Sequence, residues 1–175
     1  FTRRGIERVV RYAFELSRTR NKKKKLASIT KSNAQGYGMV LWDEIFDSIA
    51  VEYPDIETES LLVDAACMNF IRRPESFDVV VARNLFGDVL TDIAAIITGS
   101  MGLAPSANIN PERKFPSVFE PVHGSAPDIA GKGISNPMAT IFSAAMMLRH
   151  LGESEAANEI ESATENILRL GETIP

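Results

Sequence analysis

Cysteine occurs once in these 175 residues, as Cys67, and histidine twice, as His123 and His150. One thiol cannot build a disulfide scaffold, and it fits a reducing, cytoplasmic compartment. So few thiols and imidazoles also leave no zinc-ligand spacing and no Ser–His–Asp or Cys–His constellation. Neither a G-x-G-x-x-G fingerprint nor a Walker lysine pattern occurs, so the standard nucleotide motifs do not apply. Long apolar runs are missing too. The most apolar stretch, Met138 to Leu148, falls short of the ~18 residues of a membrane span, so no membrane association is expected. No secretory leader is visible. The sequence opens on Phe1 rather than Met and is read as an internal piece of a longer chain.

What is present is an ordinary globular composition, 45% hydrophobic and 24% charged with a formal net charge of −4, sufficient for one core or two small lobes. The charge is uneven. Residues 1–25 hold ten Lys or Arg against Glu7 and Glu15, which leaves the remainder of the chain acidic. Such a block can be a nucleic-acid footprint. It also suits a helix capped by Thr2 with Ile6, Val9, Val10, Ala13, Phe14 and Leu16 inward, its basic residues forming a solvated face and a turn at Asn21 to Lys25. Aromatic interleaving is absent, so no nucleic-acid partner is expected.

Short apolar runs alternate with helical periods, which predicts an α/β architecture. Strands are predicted at Lys25–Thr30, Ile56–Asp64 and Phe77–Ala82, the last a β-branched run of the kind buried on both faces. Helices are predicted over Gly38–Val51, with Val40, Leu41, Ile45, Phe46 and Ile49 inward, over Ala66–Ile71 and over Asp88–Ile97. Gly99 and Gly102 open an irregular stretch to Pro116, and Ser117–Phe119 is a short strand candidate. Glu120–Pro137 is a long loop, and two glycine-ended helices follow, Met138–Leu151 and Ala156–Leu170. A loop of that length inside a compact domain is usually functional.

Three places could carry chemistry. Asp88 and Asp92 stand four apart on a helix directly after the apolar strand, so two hard oxygen ligands share one face at the carboxyl end of a strand, where open α/β sheets bind ligands. The alternative is a helix cap at Asp88 and a solvated Asp92. Asp64, at the end of another strand, could add a third carboxylate. Lys31 follows the first strand; partial desolvation and a neighbouring cation would tune it as a general base, although an ordinary surface lysine has the same local sequence. In the segment EPVHGSAPDIAGK, Gly124 permits close backbone approach, Asp128 could hold a ribose hydroxyl pair and His123 could contact a base; a rigid structural loop is the alternative. Cys67, between Ala66 and Met68, is expected in the core.

Together these segments resemble the β-decarboxylating dehydrogenases of isopropylmalate, isocitrate, tartrate and D-malate. NLFGDVLTDIAAIITGSMGL, from Asn84 to Leu103, fits that family's signature, and EPVHGSAPDIAGKGISNP, from Glu120 to Pro137, resembles its cofactor loop. The resemblance extends from Phe1 to at least Gly152. It implies a three-layer α/β fold with a mixed sheet, of which this chain holds the central and C-terminal part: residues 1–99 from the central metal and dimer-interface domain, 100–175 as the returning segment of the cofactor-binding domain.

The resemblance further implies a homodimer with shared active sites. Asp88 and Asp92 would bind Mg²⁺ or Mn²⁺, with Asp64 contributed to the same metal from the partner subunit. Lys31 would be the catalytic lysine, delivered across the interface, with Asn33 near the nicotinamide. His123, Gly124, Ser125, Ala126, Asp128 and Asn136 would hold the adenosine half of NAD, and Glu120 would lie near the nicotinamide ribose. A monovalent cation is a further candidate. Asp128-Ile129 resembles NAD-preferring members, because a carboxylate there repels a 2′-phosphate; NADP-specific members carry Lys and Tyr at these positions. The implied reaction oxidises a 2-hydroxy dicarboxylic acid and releases CO₂.

FTRRGIERVVRYAFE, SITKSN and SANINPERKFPSVFEPVHG resemble the tartrate/D-malate branch more than the isopropylmalate branch, which stays as the alternative substrate reading. The family's catalytic tyrosine and substrate-binding arginines would precede Phe1, its chain is about twice this length, and none of Tyr12, Tyr37 or Tyr53 matches the tyrosine motif. The 175 residues alone are therefore expected to be inactive, and a purely interacting or dimerising unit is the other alternative.

Overall fold

A computed structural model describes residues 1–171; residues 172–175, the last of the expected 100–175 segment, lie outside the described residues. The chain divides into two compact units, Phe1–Ala94 and Ala95–Pro175.

The first unit runs α1 (Arg3–Arg20), β1 (Lys25–Thr30), α2 (Gly38–Ala50), β2 (Glu57–Leu62), α3 (Val63–Arg72), a 3₁₀ turn (Pro74–Ser76), β3 (Val79–Val81) and the start of α4 (Asn84–Ile97). The three strands form one parallel sheet in the order β2-β1-β3. The parallel strands are joined by helical crossovers, α2 between β1 and β2 and α3 between β2 and β3, and α1 packs on α2. Residues Leu26 to Thr30 are consequently buried throughout.

Thr2 caps α1 as expected, its hydroxyl accepting the Gly5 amide at 3.2 Å. The core-facing stripe of α1 is Ile6, Val10, Ala13 and Phe14; Val9 and Leu16, expected inward, are 40% and 37% exposed. Phe14 is fully buried with ring centroids 4.6 Å from Tyr53 and 5.5 Å from Phe46, pairs worth about 0.5–1.5 kcal/mol each beyond their burial. In α2 the inward stripe is Met39, Trp42, Ile45, Phe46 and Ile49, which turns Val40 outward. Trp42 sets that rotation, because its indole N–H donates to the buried Ser28 hydroxyl at 2.9 Å. Cys67 packs half-buried against the core.

The basic residues of α1 form a solvated face as expected, and several of them are also ion-paired. Arg11 donates two hydrogen bonds of 2.7 Å to Glu52, and Arg18 two, of 3.0 and 2.5 Å, to Asp55. Arg20 reaches the buried Asp78 carboxylate, which also accepts the Lys23 amide. The guanidinium of Arg11 holds Glu52 below the usual carboxylate range, and that of Arg18 does the same for Asp55. A carboxyl group with a lowered folded pKa binds fewer protons in the native state. Its contribution is present above the unfolded pKa and disappears as pH falls through the folded value, a window lying below roughly pH 4. Thermal unfolding should therefore shift to lower temperature on acidification, and Glu52→Gln combined with Asp55→Asn should flatten that acid limb in a pH series followed by circular dichroism. High salt should weaken the effect, since both pairs face solvent.

The second unit contains a 3₁₀ turn (Met101–Leu103), β4 (Pro105–Asn108), β5 (Val118–Pro121), a 3₁₀ turn (Pro127–Ile129), α5 (Met138–Leu151) and α6 (Ser154–Leu170). β4 and β5 pair antiparallel, Ser106 opposite Glu120. β4 lies in the stretch expected to be irregular: its proline heads the strand, where no ladder donor is lost, and its pairing with β5 is non-local. α5 packs on this hairpin and on α6. Buried Ala145 and Ala157 let the two helices approach, and Arg149 clasps Glu161 and Asn158 across them. Gly152 closes α5 at φ 104, as its sequence position predicts. Among the described residues no helix is long and apolar enough to cross a membrane.

Candidate functional site

The parallel sheet of the first unit brings its functional candidates to its carboxyl end. Lys31 leaves the carboxyl end of β1, and Asp64 occupies the first turn of α3, just past the carboxyl end of β2; Thr30 and Leu62 are partners in register. The Lys31 ammonium donates to Asp64 Oδ1 at 2.9 Å. Asp64 lies in α3, not in the strand, so its carboxylate sits among the free amides of a helix start. The hydrogen bond from Lys31, then those backbone amides, keep the Asp64 carboxyl below its ordinary range. The neighbour that Lys31 meets is thus an anion, rather than the cation considered from sequence. A turn in which the Ala34 and Gln35 amides donate to the Lys31 carbonyl leaves Asn33 exposed.

α4 begins at Asn84, one turn earlier than the sequence suggests, because Gly87 continues the helix and donates its amide to the Arg83 carbonyl. Asp88 is therefore not a cap. Asp88 and Asp92 are both exposed and one turn apart, a two-carboxylate face suited to a hard divalent cation with open positions. Among the described residues no three His, Cys, Asp or Glu side chains gather as a metal-holding group, so one copy of the chain does not bring Asp64 to Asp88 and Asp92. Apolar side chains share the carboxylate faces. On α3, Met68 and Ile71 follow Asp64 at i+4 and i+7, exposed at 57% and 67%; on α4, Leu85 and Val89 flank Asp88, exposed at 55% and 48%.

In the second unit the Glu120–Pro137 segment folds around a concavity of about 680 Å³. His123, Gly124, Ser125, Ala126 and Asn136 line it, whereas Glu120, on β5, and Asp128, in the 3₁₀ turn, are exposed and outside the lining. Ala126 adopts φ 42 ahead of that turn. The His123 ring Nδ1 lies 3.0 Å from the Gly124 carbonyl, and Asn136 Oδ1 accepts the Met138 amide at the start of α5. The space beyond Gly124, Gly131 and Gly133 is open where a Cβ would project, so a ligand could approach the backbone closely. Such a cradle, in the size range of small-molecule sites, fits a nucleotide.

Met101 and Gly102 also line this concavity and were not among the residues singled out. Their signal lay in the glycine: a Cβ on Gly102 would come within 3.2 Å of the Asn136 Cβ, a tight contact that glycine avoids.

The isocitrate/isopropylmalate dehydrogenase family model matches residues 1–174. The chain is 52% identical over its whole length to a probable tartrate dehydrogenase/decarboxylase of Agrobacterium vitis, covering 49% of that protein. It is 52% identical to the decarboxylating D-malate dehydrogenase of Escherichia coli, covering all of this chain and 50% of that one. Over 159 residues, 91% of this chain and 46% of the relative, it is 55% identical to the 3-isopropylmalate dehydrogenase of Streptomyces griseus. The crystal structure of isocitrate dehydrogenase from Methylococcus capsulatus superposes with a TM-score of 0.93 at 46% identity, over 99% of this chain and 50% of that one. The chain spans about half the length of the curated relatives it matches. With a model match along almost all of its residues and this α/β fold, the chain belongs to the isocitrate/isopropylmalate dehydrogenase family.

Proposed function

We propose that the full-length protein is an NAD-dependent dehydrogenase that oxidises a small 2-hydroxy dicarboxylic acid such as tartrate or D-malate, with loss of CO₂. The observation that carries this reading is the Lys31–Asp64 pair at the carboxyl end of the parallel sheet, the end at which β3 leads into α4 with Asp88 and Asp92. A bound Mg²⁺ or Mn²⁺ would supply Lewis-acid polarisation of substrate oxygens, and NAD the hydride acceptor. Asp88 and Asp92 would hold the metal from one subunit and Asp64 from its partner. Lys31, once it has released its own proton to solvent, accepts the proton of the substrate 2-hydroxyl on its neutral amine, and its hydrogen bond to Asp64 positions the side chain. Asn33 and Glu120 attend the nicotinamide end of the cofactor; His123, Gly124, Ser125, Ala126, Asp128 and Asn136 attend the adenosine end. On this reading residues 1–99 are the metal and dimer-interface portion, and 100–175 the returning part of the cofactor domain. A monovalent cation is a further candidate activator.

The partner is a second copy of the chain. The exposed Met68, Ile71, Leu85 and Val89 give α3 and α4 apolar faces to bury, and the same faces carry Asp64 and Asp88. Pairing two copies through them completes the metal site. A full-length Lys31→Ala variant mixed by refolding with a full-length Asp88→Asn variant should regain roughly a quarter of the native specific activity, because roughly half of random dimers are mixed and each then has one intact site. A mixture as inactive as its parents would exclude shared sites. Pairing of Arg11, Arg18 and Arg20 within the fold supports the absence of a nucleic-acid partner, and the lone Cys67 supports a cytoplasmic location.

Asp128 should set cofactor choice. Replacing Asp128 by Lys and Ile129 by Tyr in the full-length enzyme exchanges repulsion of a 2′-phosphate for attraction. The ratio of kcat/KM for NADP over NAD should rise at least ~10-fold, measured by reduced-nicotinamide absorbance.

The second reading is 3-isopropylmalate oxidation, which the 55% identity to the Streptomyces griseus enzyme favours. Initial rates of the full-length protein on tartrate, D-malate and 3-isopropylmalate decide between them. A higher kcat/KM on 3-isopropylmalate overturns the tartrate/D-malate assignment. Activity on none of the three would leave the incomplete, interaction-only reading.

A further inference from the structure

Among the described residues, the buried side-chain oxygens without a hydrogen-bond partner include Ser17 Oγ, Asp43 Oδ1 and Ser100 Oγ. Ser17 and Asp43 belong to helices of the first unit, whereas Ser100 lies in the unit that holds the glycine-rich concavity. A buried polar atom left unpaired costs stability, so its retention calls for a reason.

Ser100 stands where a serine normally has a partner. It is the N-cap of the 3₁₀ turn Met101–Leu103, with the extended backbone of a capping residue at φ −166 and ψ 165. A serine at such a position ordinarily turns its hydroxyl onto a free amide of the following turn. Here the hydroxyl makes no cap bond, and the turn closes through the backbone alone, the Leu103 amide donating to the Ser100 carbonyl at 3.1 Å. Gly99, just before it, adopts φ 136, a conformation that favours glycine, and turns the chain from the end of α4 into this extended residue.

Beside the hydroxyl lies the wall of the concavity. The point at which a Cβ would project from Gly102 is 3.4 Å from Ser100 Oγ, and 3.2 and 3.6 Å from Asn136 Cβ and Cγ. Gly102 and Asn136 both line the concavity, as does Met101, the residue between Ser100 and Gly102. Ser100 Oγ thus stands directly behind the lining, at the place where glycine contributes no side chain to the wall. A serine hydroxyl reaches a new partner by rotation about one bond, and it can both donate and accept.

We propose that Ser100 is a further ligand-binding residue of this concavity: its hydroxyl, unpaired within the chain, bonds a polar atom of the adenosine half of the dinucleotide, on the side held by Asn136. The orphan oxygen costs the protein stability without ligand, and the bound state recovers that cost as affinity. The inference rests on the reading of the concavity as an NAD site.

The test compares the full-length protein with its Ser100→Ala and Ser100→Thr variants, by calorimetric titration of NAD and of ADP-ribose and by thermal unfolding without ligand. Ser100→Ala should weaken both ligands by the same factor, about 3- to 10-fold, the range for one hydrogen bond. Its ligand-free unfolding midpoint should hold or rise, because alanine removes the orphan oxygen. Threonine keeps the hydroxyl and suits extended backbone, so Ser100→Thr should bind within about 2-fold of the native protein. In steady state the alanine variant should lose on KM for NAD rather than on kcat. Unchanged affinity in Ser100→Ala, or a lowered ligand-free midpoint, returns Ser100 to a structural role and overturns the proposal. Equal losses in the alanine and threonine variants, or a loss for NAD that ADP-ribose does not share, also overturn it. A native protein that binds neither NAD nor ADP-ribose overturns the cofactor reading itself, an outcome distinct from a native protein that binds both and is indifferent to Ser100.

Discussion

Replacing Asp88 by Asn in the full-length protein should lower kcat/KM by more than ~100-fold and abolish the thermal stabilisation that Mn²⁺ gives the native protein. The substitution keeps shape and removes one negative charge from a two-carboxylate face. Asp88 lies exposed inside α4, one turn past its start, and Asp and Asn have similar helix propensities. The metal-free unfolding midpoint should therefore hardly move. A large loss of metal-free stability with Mn²⁺ binding intact would mean that Asp88 serves the helix rather than a cation. Asp92→Asn should behave alike, since it stands one turn further along the same face.

Replacing Lys31 by Met should lower kcat by ~100- to 10,000-fold, the range for removing a positioned acid–base group. Metal affinity should survive, which separates this variant from Asp88→Asn. Methionine retains the aliphatic length of lysine but leaves Asp64 without its ammonium partner. The main cause of the lowered Asp64 carboxyl pKa is then gone, and a carboxyl titration by NMR should show Asp64 moving back up toward its ordinary value. Unchanged kcat would reduce Lys31 to a surface ion pair. Loss of Mn²⁺ binding would place its role in holding Asp64 rather than in proton transfer.

The elements that sequence made legible are those with local causes. Lys25–Thr30 is a β-rich run before a turn, Met138–Leu151 is stopped by Gly152, and Thr2 caps α1. Each depends on neighbours within a few residues. β4 was illegible because Pro105–Asn108 is a strand only by pairing with β5, and the start of α4 because Gly87, a breaker by propensity, is retained inside the helix. The valine run at Phe77–Ala82 reads as a strand buried on both faces; the strand is only Val79–Val81 and lies at a sheet edge, with Val79 and Val81 buried and Val80 half-buried, because which strand is central depends on non-local pairing.

For the candidate site the division is similar. Sequence by itself determined residue types and helical spacing: Asp88 and Asp92 one turn apart, glycines that leave the backbone of the Glu120–Pro137 segment open, and motifs specific enough to mark the family. Tertiary structure decided what Lys31 meets. It set the pairing register that brings the lysine after β1 to Asp64 in α3, and it showed that one chain gathers no three-carboxylate centre among the described residues. It also decided which apolar residues, Val9 and Leu16 on α1 and Met68 and Ile71 on α3, are left outside the core. The physical reason is that propensity and spacing act over one or two turns of chain, whereas register, burial and charge pairing arise between segments tens of residues apart and take form only when the sheet assembles.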